Sequence, residues 1–279
     1  MTDVPLLNVQ DLSVAFTAEG ATTRAVDGLS FTLGRERLGI VGESGSGKST
    51  TGRAILGLVP RPGVVTARRL RFAGEDLLGL SRRQWTRYRG RRIAMITQDP
   101  KFSLNPVMSV EAQVTEAYRL HHGGGARAAR RRALDMLDAV AIADPDKVAR
   151  LYPHQLSGGM AQRVMIAAML IAEPDLLIAD EAVSALDVTV QNEVLGVLDR
   201  LVAERGMGLI FISHNLTAVA SFCDRVLVMY GGRVMEDCDA GSLQAARHPY
   251  TRALLAAAPD LDHPRQTLSV VARDPAWLA

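Results

Sequence analysis

Lysine is almost missing from this chain: Lys48, Lys101 and Lys147 are the only lysines among its 32 basic residues. So strong a bias towards arginine gives weight to any lysine that stands where chemistry needs one. Cysteine is scarce as well. Cys223 and Cys238 offer no metal-ligand spacing and no disulfide framework, which fits a reducing compartment. Long hydrophobic runs are lacking: the longest, residues 164–172 (VMIAAMLIA), is about half the ~20 residues that a membrane-spanning helix needs. The opening stretch MTDVPLLNVQ has neither the basic nor the apolar region of a secretory signal, so a cytoplasmic protein is expected. The net charge of +2 falls short of the basic excess typical of nucleic-acid binders, and no nucleic-acid partner is expected. What remains is a chain of 279 residues, long enough to bury a full core as one large domain or two small ones.

The stretch that carries chemistry is Gly42-Glu43-Ser44-Gly45-Ser46-Gly47-Lys48-Ser49, which fits the phosphate-loop pattern G-x-x-x-x-G-K-[ST] at every fixed position. Its setting agrees. Residues 37–41 (RLGIV) read as a short buried strand and residues 50–58 (TTGRAILGL) as a helix, and a loop between strand and helix is where this motif works. Gly42, Gly45 and Gly47 let the backbone wind close to an anion, so that the N–H groups from Gly42 through Ser44 to the helix start at Thr50 face phosphate. Lys48 is expected to reach the β- and γ-phosphates of a nucleotide, and the Ser49 hydroxyl to ligate Mg²⁺.

Along the chain, residues 6–16 and 23–33 are rich in β-formers and joined by a polar link, which predicts antiparallel strands. Phe16 at the end of the first is either a purine-stacking aromatic or a core or edge residue. Residues 61–92 hold ten arginines, read as a solvated helical face or as a surface for anionic lipid head groups. Residues 93–97 (IAMIT) read as a buried strand ending at Gln98, a residue able to ligate Mg²⁺ or orient water; residues 99–106 then read as loop. Residues 110–150 look helical, broken by His121-His122-Gly123-Gly124-Gly125. That His pair has no third ligand at helical or hairpin spacing, so a surface loop is the reading.

Leu156-Ser157-Gly158-Gly159-Met160 leads into a further helix and offers a hydroxyl and backbone N–H donors to a second anion. Residues 176–179 (LLIA) read as a parallel strand ending in Asp180-Glu181. Buried carboxylates are costly unless they are paired or metal-bound, so Asp180 is expected in a Mg²⁺ shell and Glu181 beside the attacking water. Residues 188–204 carry a helical apolar spacing. Residues 209–212 form another strand ending at Ser213-His214, where a histidine is placed for a γ-phosphate. A hairpin over residues 225–236 follows.

These pieces, in this order, resemble the nucleotide-binding subunit of an ATP-binding cassette (ABC) transporter over about residues 6–240. The Leu156-Ser157-Gly158-Gly159 run is the specific element, since the phosphate loop is shared with many kinases and GTPases. The resemblance implies an α/β fold: a P-loop NTPase (RecA-like) core with an N-terminal antiparallel β-subdomain and an inserted α-helical subdomain at about residues 99–172. Residues 1–240 would be the nucleotide-binding domain and residues 241–279 a C-terminal extension. ATP and Mg²⁺ are the implied cofactors, with Phe16 on adenine, Gln98 as the Q-loop glutamine and residues 156–160 as the signature. Asp180 and Glu181 look like the Walker B pair, residues 184–187 with Asp187 like the D-loop, and His214 like the switch histidine. In that family two subunits meet head to tail, so the two anion-binding helix starts would serve different nucleotides.

Gln98-Asp99-Pro100, Ser103-Leu104-Asn105-Pro106, Asp187-Val188-Thr189-Val190-Gln191 and His248-Pro249-Tyr250-Thr251 narrow the resemblance to the oligopeptide, dipeptide and nickel importer branch, which also takes up metal-opine chelates. The implied partners are a second ATPase subunit, paralogous or identical, two membrane-spanning permease subunits and an external substrate-binding protein. The implied place is the cytoplasmic face of the inner membrane, held peripherally. Departures from the branch are Met160 for Gln, Ala182-Val183 for Pro-Thr and Asn215 for Asp; no tail cysteine cluster is present. Of the competing classes, a chromosome-type ABC ATPase would place long coiled coils between phosphate loop and signature, and a ribosome-acting one would carry two cassettes. A GTPase would want an Asn-Lys-x-Asp guanine reader, and no Asn here precedes a Lys.

Overall fold

The computed structural model describes residues 4–18, 20–184, 186–257, 274 and 277, without the side chains of residues 101 and 102. Of the expected D-loop, Ala185 lies outside the described residues. In chain order the elements begin β1 (Leu7–Ala18), β2 (Ala21–Leu33), β3 (Arg37–Val41), α1 (Lys48–Ile55), β4 (Val64–Thr66), β5 (Arg69–Phe72), β6 (Glu75–Asp76), α2 (Arg82–Trp85), β7 (Ile93–Ile96) and α3 (Pro100–Ser103). They continue with α4 (Val110–His122), α5 (Ala126–Ala139), α6 (Pro145–Ala149), α7 (Gly158–Leu170), β8 (Leu176–Asp180), α8 (Val188–Arg205), β9 (Gly208–Ile212), α9 (Leu216–Phe222), β10 (Arg225–Tyr230), β11 (Arg233–Asp239) and α10 (Pro249–Ala257). Two compact units emerge, residues 1–80 with 210–279 and residues 81–209.

In the first unit β1 and β2 pair antiparallel from Leu7 opposite Leu33 to Ala18 opposite Ala21. The alternation in β1 changes phase: Leu7 and Val9 are buried, and so are Leu12 and Val14. A register shift between Val9 and Leu12, with Asp11 at φ 52°, accounts for it. The extra residue of a bulge puts odd and even positions on the same face. β4 and β5 join β1, and β6 pairs with β5. The arginine-rich segment is therefore mostly strand and turn, with helix only at α2. In β5, Leu70 and Phe72 point inward while Arg69 and Arg71 stay exposed, a period of two that no helix would tolerate.

The second sheet of this unit follows the order β11-β10-β3-β9. β10 runs parallel to β3, and β11 closes the expected hairpin antiparallel to β10. β3 and β9 are buried along almost their whole length, as strands covered on both faces must be, which is why they read as unbroken apolar runs. Burial pushes the Cys223 thiol, packed near Gly39, up to about 12, which keeps it in the thiol form near neutral pH.

The starts of β3 and β10 are tied together. The Arg37 N–H donates to Asp224 Oδ2 at 2.8 Å, the Asp224 N–H donates to Arg37 O at 2.8 Å, and Arg37 Nη2 reaches Asp224 Oδ1 at 2.7 Å. The Arg37 guanidinium holds the Asp224 carboxyl below its ordinary value of 3.8. A carboxyl lowered in the folded state adds stability above its unfolded value and loses it as the pH falls through the folded one. Asp224→Asn is therefore expected to lower the thermal midpoint at neutral pH, with the gap to wild type closing once the pH drops below 3.8. A gap that stays constant into acid would show that the charge is not what matters.

In the second unit β7 and β8 pair parallel, Ile93 opposite Leu176 through Ile96 opposite Ala179. Helices α4 to α7 bury Val110, Val114, Ala133, Leu137, Val164 and Leu170 against one another. Ser109 caps α4 by accepting the Ala112 N–H at 3.3 Å, and Gly123 at φ 69° ends it; only glycine takes that backbone turn cheaply. His121 belongs to α4 and its ring lies against Gly90, where a Cβ would come within 2.6 Å of Nε2. Where loop was expected after Gln98, Pro100–Ser103 make one helical turn, with proline at a position whose missing N–H costs nothing.

Candidate functional site

In the first unit the chain leaves β3 at Val41 and wraps into the loop before α1. Gly42, Gly45 and Gly47 have φ of 151°, 83° and 99°. A Cβ on Gly42 would sit 2.1 Å from the Met229 carbonyl oxygen, and one on Gly47 would sit 2.3 Å from that of Ala25. No other residue fits either position, whereas Gly45 faces open space and needs glycine only for its φ. Lys48 is 5% exposed. Its Nζ donates to the carbonyls of Gly42 and Glu43, each at 2.8 Å, and to Ser46 Oγ at 3.4 Å. The loop is thus curled around an ammonium. Ser44 and Gly45 are exposed, and Ser49 and Thr50 half-buried at the start of α1, whose first residue has no side-chain cap. Helix-start N–H groups that no side chain caps are a place for an anion.

His214 is exposed at the end of β9. The preceding Ser213 N–H donates to Ile40 O at 3.1 Å, so this histidine stands beside the strand that feeds the loop. Asn215 caps α9 by accepting the Ala218 N–H at 3.1 Å; Asn caps as well as Asp, so that departure leaves the local structure intact. Phe16 is half-buried, with its ring against the Gly63 turn, where a Cβ would lie 2.7 Å from Cε1.

The second unit gathers the carboxylates and the signature. Gln98 is exposed two residues beyond β7, and the parallel register places it at the same sheet edge as Asp180 and Glu181. Asp180 is only 5% exposed. Glu181 takes φ 50°, a left-handed backbone unusual for a residue with a side chain and frequent at functional sites. Its carbonyl accepts from the Ser184 N–H at 3.2 Å and from Ser184 Oγ at 3.0 Å, locking the turn. Hard oxygen donors such as Asp180 and Gln98 suit Mg²⁺.

Ser157 is the N-cap of α7: its Oγ accepts the Met160 N–H at 3.3 Å. Because that bond uses the main chain of residue 160, methionine there serves as well as glutamine. Ser157 and Gly158 are exposed and Gly159 is half-buried. A Cβ on Gly159 would meet Val190 Cγ1 at 2.7 Å, and Asp187 caps α8 through the Val190 N–H at 3.1 Å. The starts of α7 and α8 therefore stand together, bringing Ser157, Gly158 and Gly159 beside Asp187.

Sequence reasoning gave no role in the phosphate loop to two residues that touch it. The Gly232 N–H donates to Ser46 O at 3.1 Å, and the Glu43 N–H donates to Tyr250 Oη at 3.1 Å. Tyr250 had stood out only as part of the His248-Pro249-Tyr250-Thr251 run.

A family pattern described as "ABC transporter" matches residues 26–184. The Dipeptide transport ATP-binding protein DppD of Escherichia coli (strain K12) is 47% identical over 266 residues, covering 95% of this chain and 81% of the relative. The protein of the same name from Haemophilus influenzae is 46% identical over 257 residues, 91% of this chain and 78% of the relative. Among solved structures, the dimeric bacterial ABC transporter cassette MJ0796 is similar with a TM-score of 0.75 at 25% identity, over 84% of this chain and 98% of that one.

Proposed function

Since the chain belongs to the ABC transporter family and is an ATP-binding ATPase, we propose that it is the ATP-hydrolysing subunit of a peptide importer. The observation that carries this reading is the 47% identity to a dipeptide transport ATP-binding protein across 95% of the chain. No helix among the described residues is long and apolar enough to cross a membrane. In this reading the pore would be formed by separate permease subunits. The chain would sit peripherally beneath two of them on the cytoplasmic face, paired with a second ATPase subunit and supplied by an external binding protein. Residues 1–240 would act as the nucleotide-binding domain, with a helical subdomain at about 99–172 and residues 241–279 as the extension.

In this reading the loop from Gly42 through Ser44, Gly45 and Gly47 to Ser49 and Thr50 cradles the phosphates. Lys48 exchanges its carbonyl partners for β- and γ-oxygens, and Phe16 stacks on adenine. Ser49, Gln98 and Asp180 would hold Mg²⁺, which supplies charge neutralisation on the phosphates. Glu181 accepts the proton of the attacking water, and His214 holds the γ-phosphate. Ser157, Gly158, Gly159 and Asp187 close on the nucleotide of the partner subunit. The exposure of Ser157 and Gly158 supports that outward role.

Cargo is testable in the assembled complex. Hydrolysis should rise when the external binding protein is loaded with a short peptide. Nickel or a metal chelate, the other cargoes of the resembling branch, should leave it at the basal rate. Stimulation by the metal forms alone would overturn the peptide reading.

A further inference from the structure

The phosphate loop is held from the far end of the chain. Tyr250, near the start of α10, is completely buried, and its Oη accepts the Glu43 N–H at 3.1 Å across 207 residues of sequence. The carbonyl of the same Glu43 accepts from Lys48 Nζ at 2.8 Å. One residue of the loop thus joins the tail to the ammonium: its N–H is fixed by a phenol, its C=O by the lysine. The phenol cannot swing away, because its ring lies 4.6 Å from that of Tyr230 and 5.3 Å from that of Trp277. The start of α10 is itself anchored, with the Arg247 and His248 N–H groups donating to the Glu236 carboxylate at 2.9 Å each. Glu236 lies on β11, directly beyond Gly232, which touches the loop at Ser46.

We propose that Tyr250 is a positioning residue for ATP: it fixes the Gly42–Glu43 peptide by its N–H and, through the Gly42 carbonyl of that same peptide plane, which accepts from Lys48 Nζ at 2.8 Å, the place of the Lys48 ammonium. The inference rests on the reading of residues 42–49 as the nucleotide site. A loop with three glycines at positive φ has many alternative conformations, and a rigid phenol from a packed core removes some of them. The energy comes from preorganisation, since ATP then does not have to order this peptide on binding.

Tyr250→Phe removes one oxygen and keeps the ring, so the aromatic packing survives. In the purified full chain ATP affinity should fall roughly threefold to tenfold, the scale of one hydrogen bond. The Glu43 amide should exchange with solvent faster, while the urea midpoint stays close to wild type. A lower urea midpoint with unchanged ATP affinity would mean a merely structural tyrosine and overturn the proposal, as would no change in any of the three. Lys48→Ala, measured in parallel, separates the two readings. If it abolishes ATP binding and Tyr250→Phe does nothing, only the positioning role falls; if it leaves binding intact, the phosphate-loop reading and the positioning role fall together.

Discussion

Glu181→Gln should keep ATP binding and lose hydrolysis by ~10²-fold or more, the range for removing a positioned base and about 2.7 kcal/mol of transition-state stabilisation. The reasoning starts from the backbone. Glu181 sits at φ 50°, and the turn that follows is held through its carbonyl by Ser184 at 3.2 Å and 3.0 Å. Glutamine has the same length and leaves that carbonyl in place, so the turn should persist while the basicity disappears. Asp180, its neighbour, is 5% exposed and is poorly placed to accept a proton from bulk-exchanging water. The substituted chain should therefore accumulate with ATP bound, visible as a dimer on sizing chromatography that the wild type does not retain. Wild-type turnover in Glu181→Gln would move the base elsewhere, with His214 the next residue to test.

Ser157→Arg should abolish turnover of the assembled transporter while leaving ATP affinity of the isolated chain near wild type. Ser157 Oγ already accepts the Met160 N–H at 3.3 Å, and in the proposed head-to-tail arrangement its own O–H would donate outward, to a phosphate oxygen of the nucleotide held by the partner subunit. Arginine puts bulk in that place. It also deletes the cap of α7, which costs about 0.5–2 kcal/mol, and a second substitution is needed to separate the effects. Ser157→Asp keeps a capping oxygen but sets a negative charge against phosphate, so it should lose turnover without loss of helix stability. Comparing equilibrium binding to the single chain with turnover of the complex decides the matter. A tenfold loss of affinity in the single chain, equal to ~1.4 kcal/mol, would mean that the serine acts on its own nucleotide and that the head-to-tail arrangement is wrong.

Much of the molecule was legible residue by residue. The phosphate loop, the signature stretch and the Asp180-Glu181 pair are contiguous runs, and the elements flanking them announce themselves by period. Residues 37–41 and 176–179 lack alternation because both faces of those strands are buried. Residues 188–204 repeat with a helical spacing, and the observed helix ends one residue later, before Gly206 at φ 56°. Less legible were segments whose pattern is interrupted. The phase change at Asp11 hides half of β1's apolar face from a strict alternation count. The arginines of residues 61–92 read as helix because their charge was counted ahead of the Leu70 and Phe72 alternation.

The sequence by itself determined which short stretches are the candidates for phosphate, hydroxyl and carboxylate chemistry, because each is built from neighbours along the chain and depends on residue type and spacing. Only the tertiary structure decided what stands behind them. Gly42 is obligatory because the Met229 carbonyl lies where a Cβ would be, Gly159 is tight because Val190 faces it, and Tyr250 reaches Glu43 from 207 residues away. An apolar or polar period tells which side of an element must find a partner, but many partners satisfy it equally. The choice is made when backbone groups that cannot be left unpaired and side-chain volumes that cannot overlap are satisfied together.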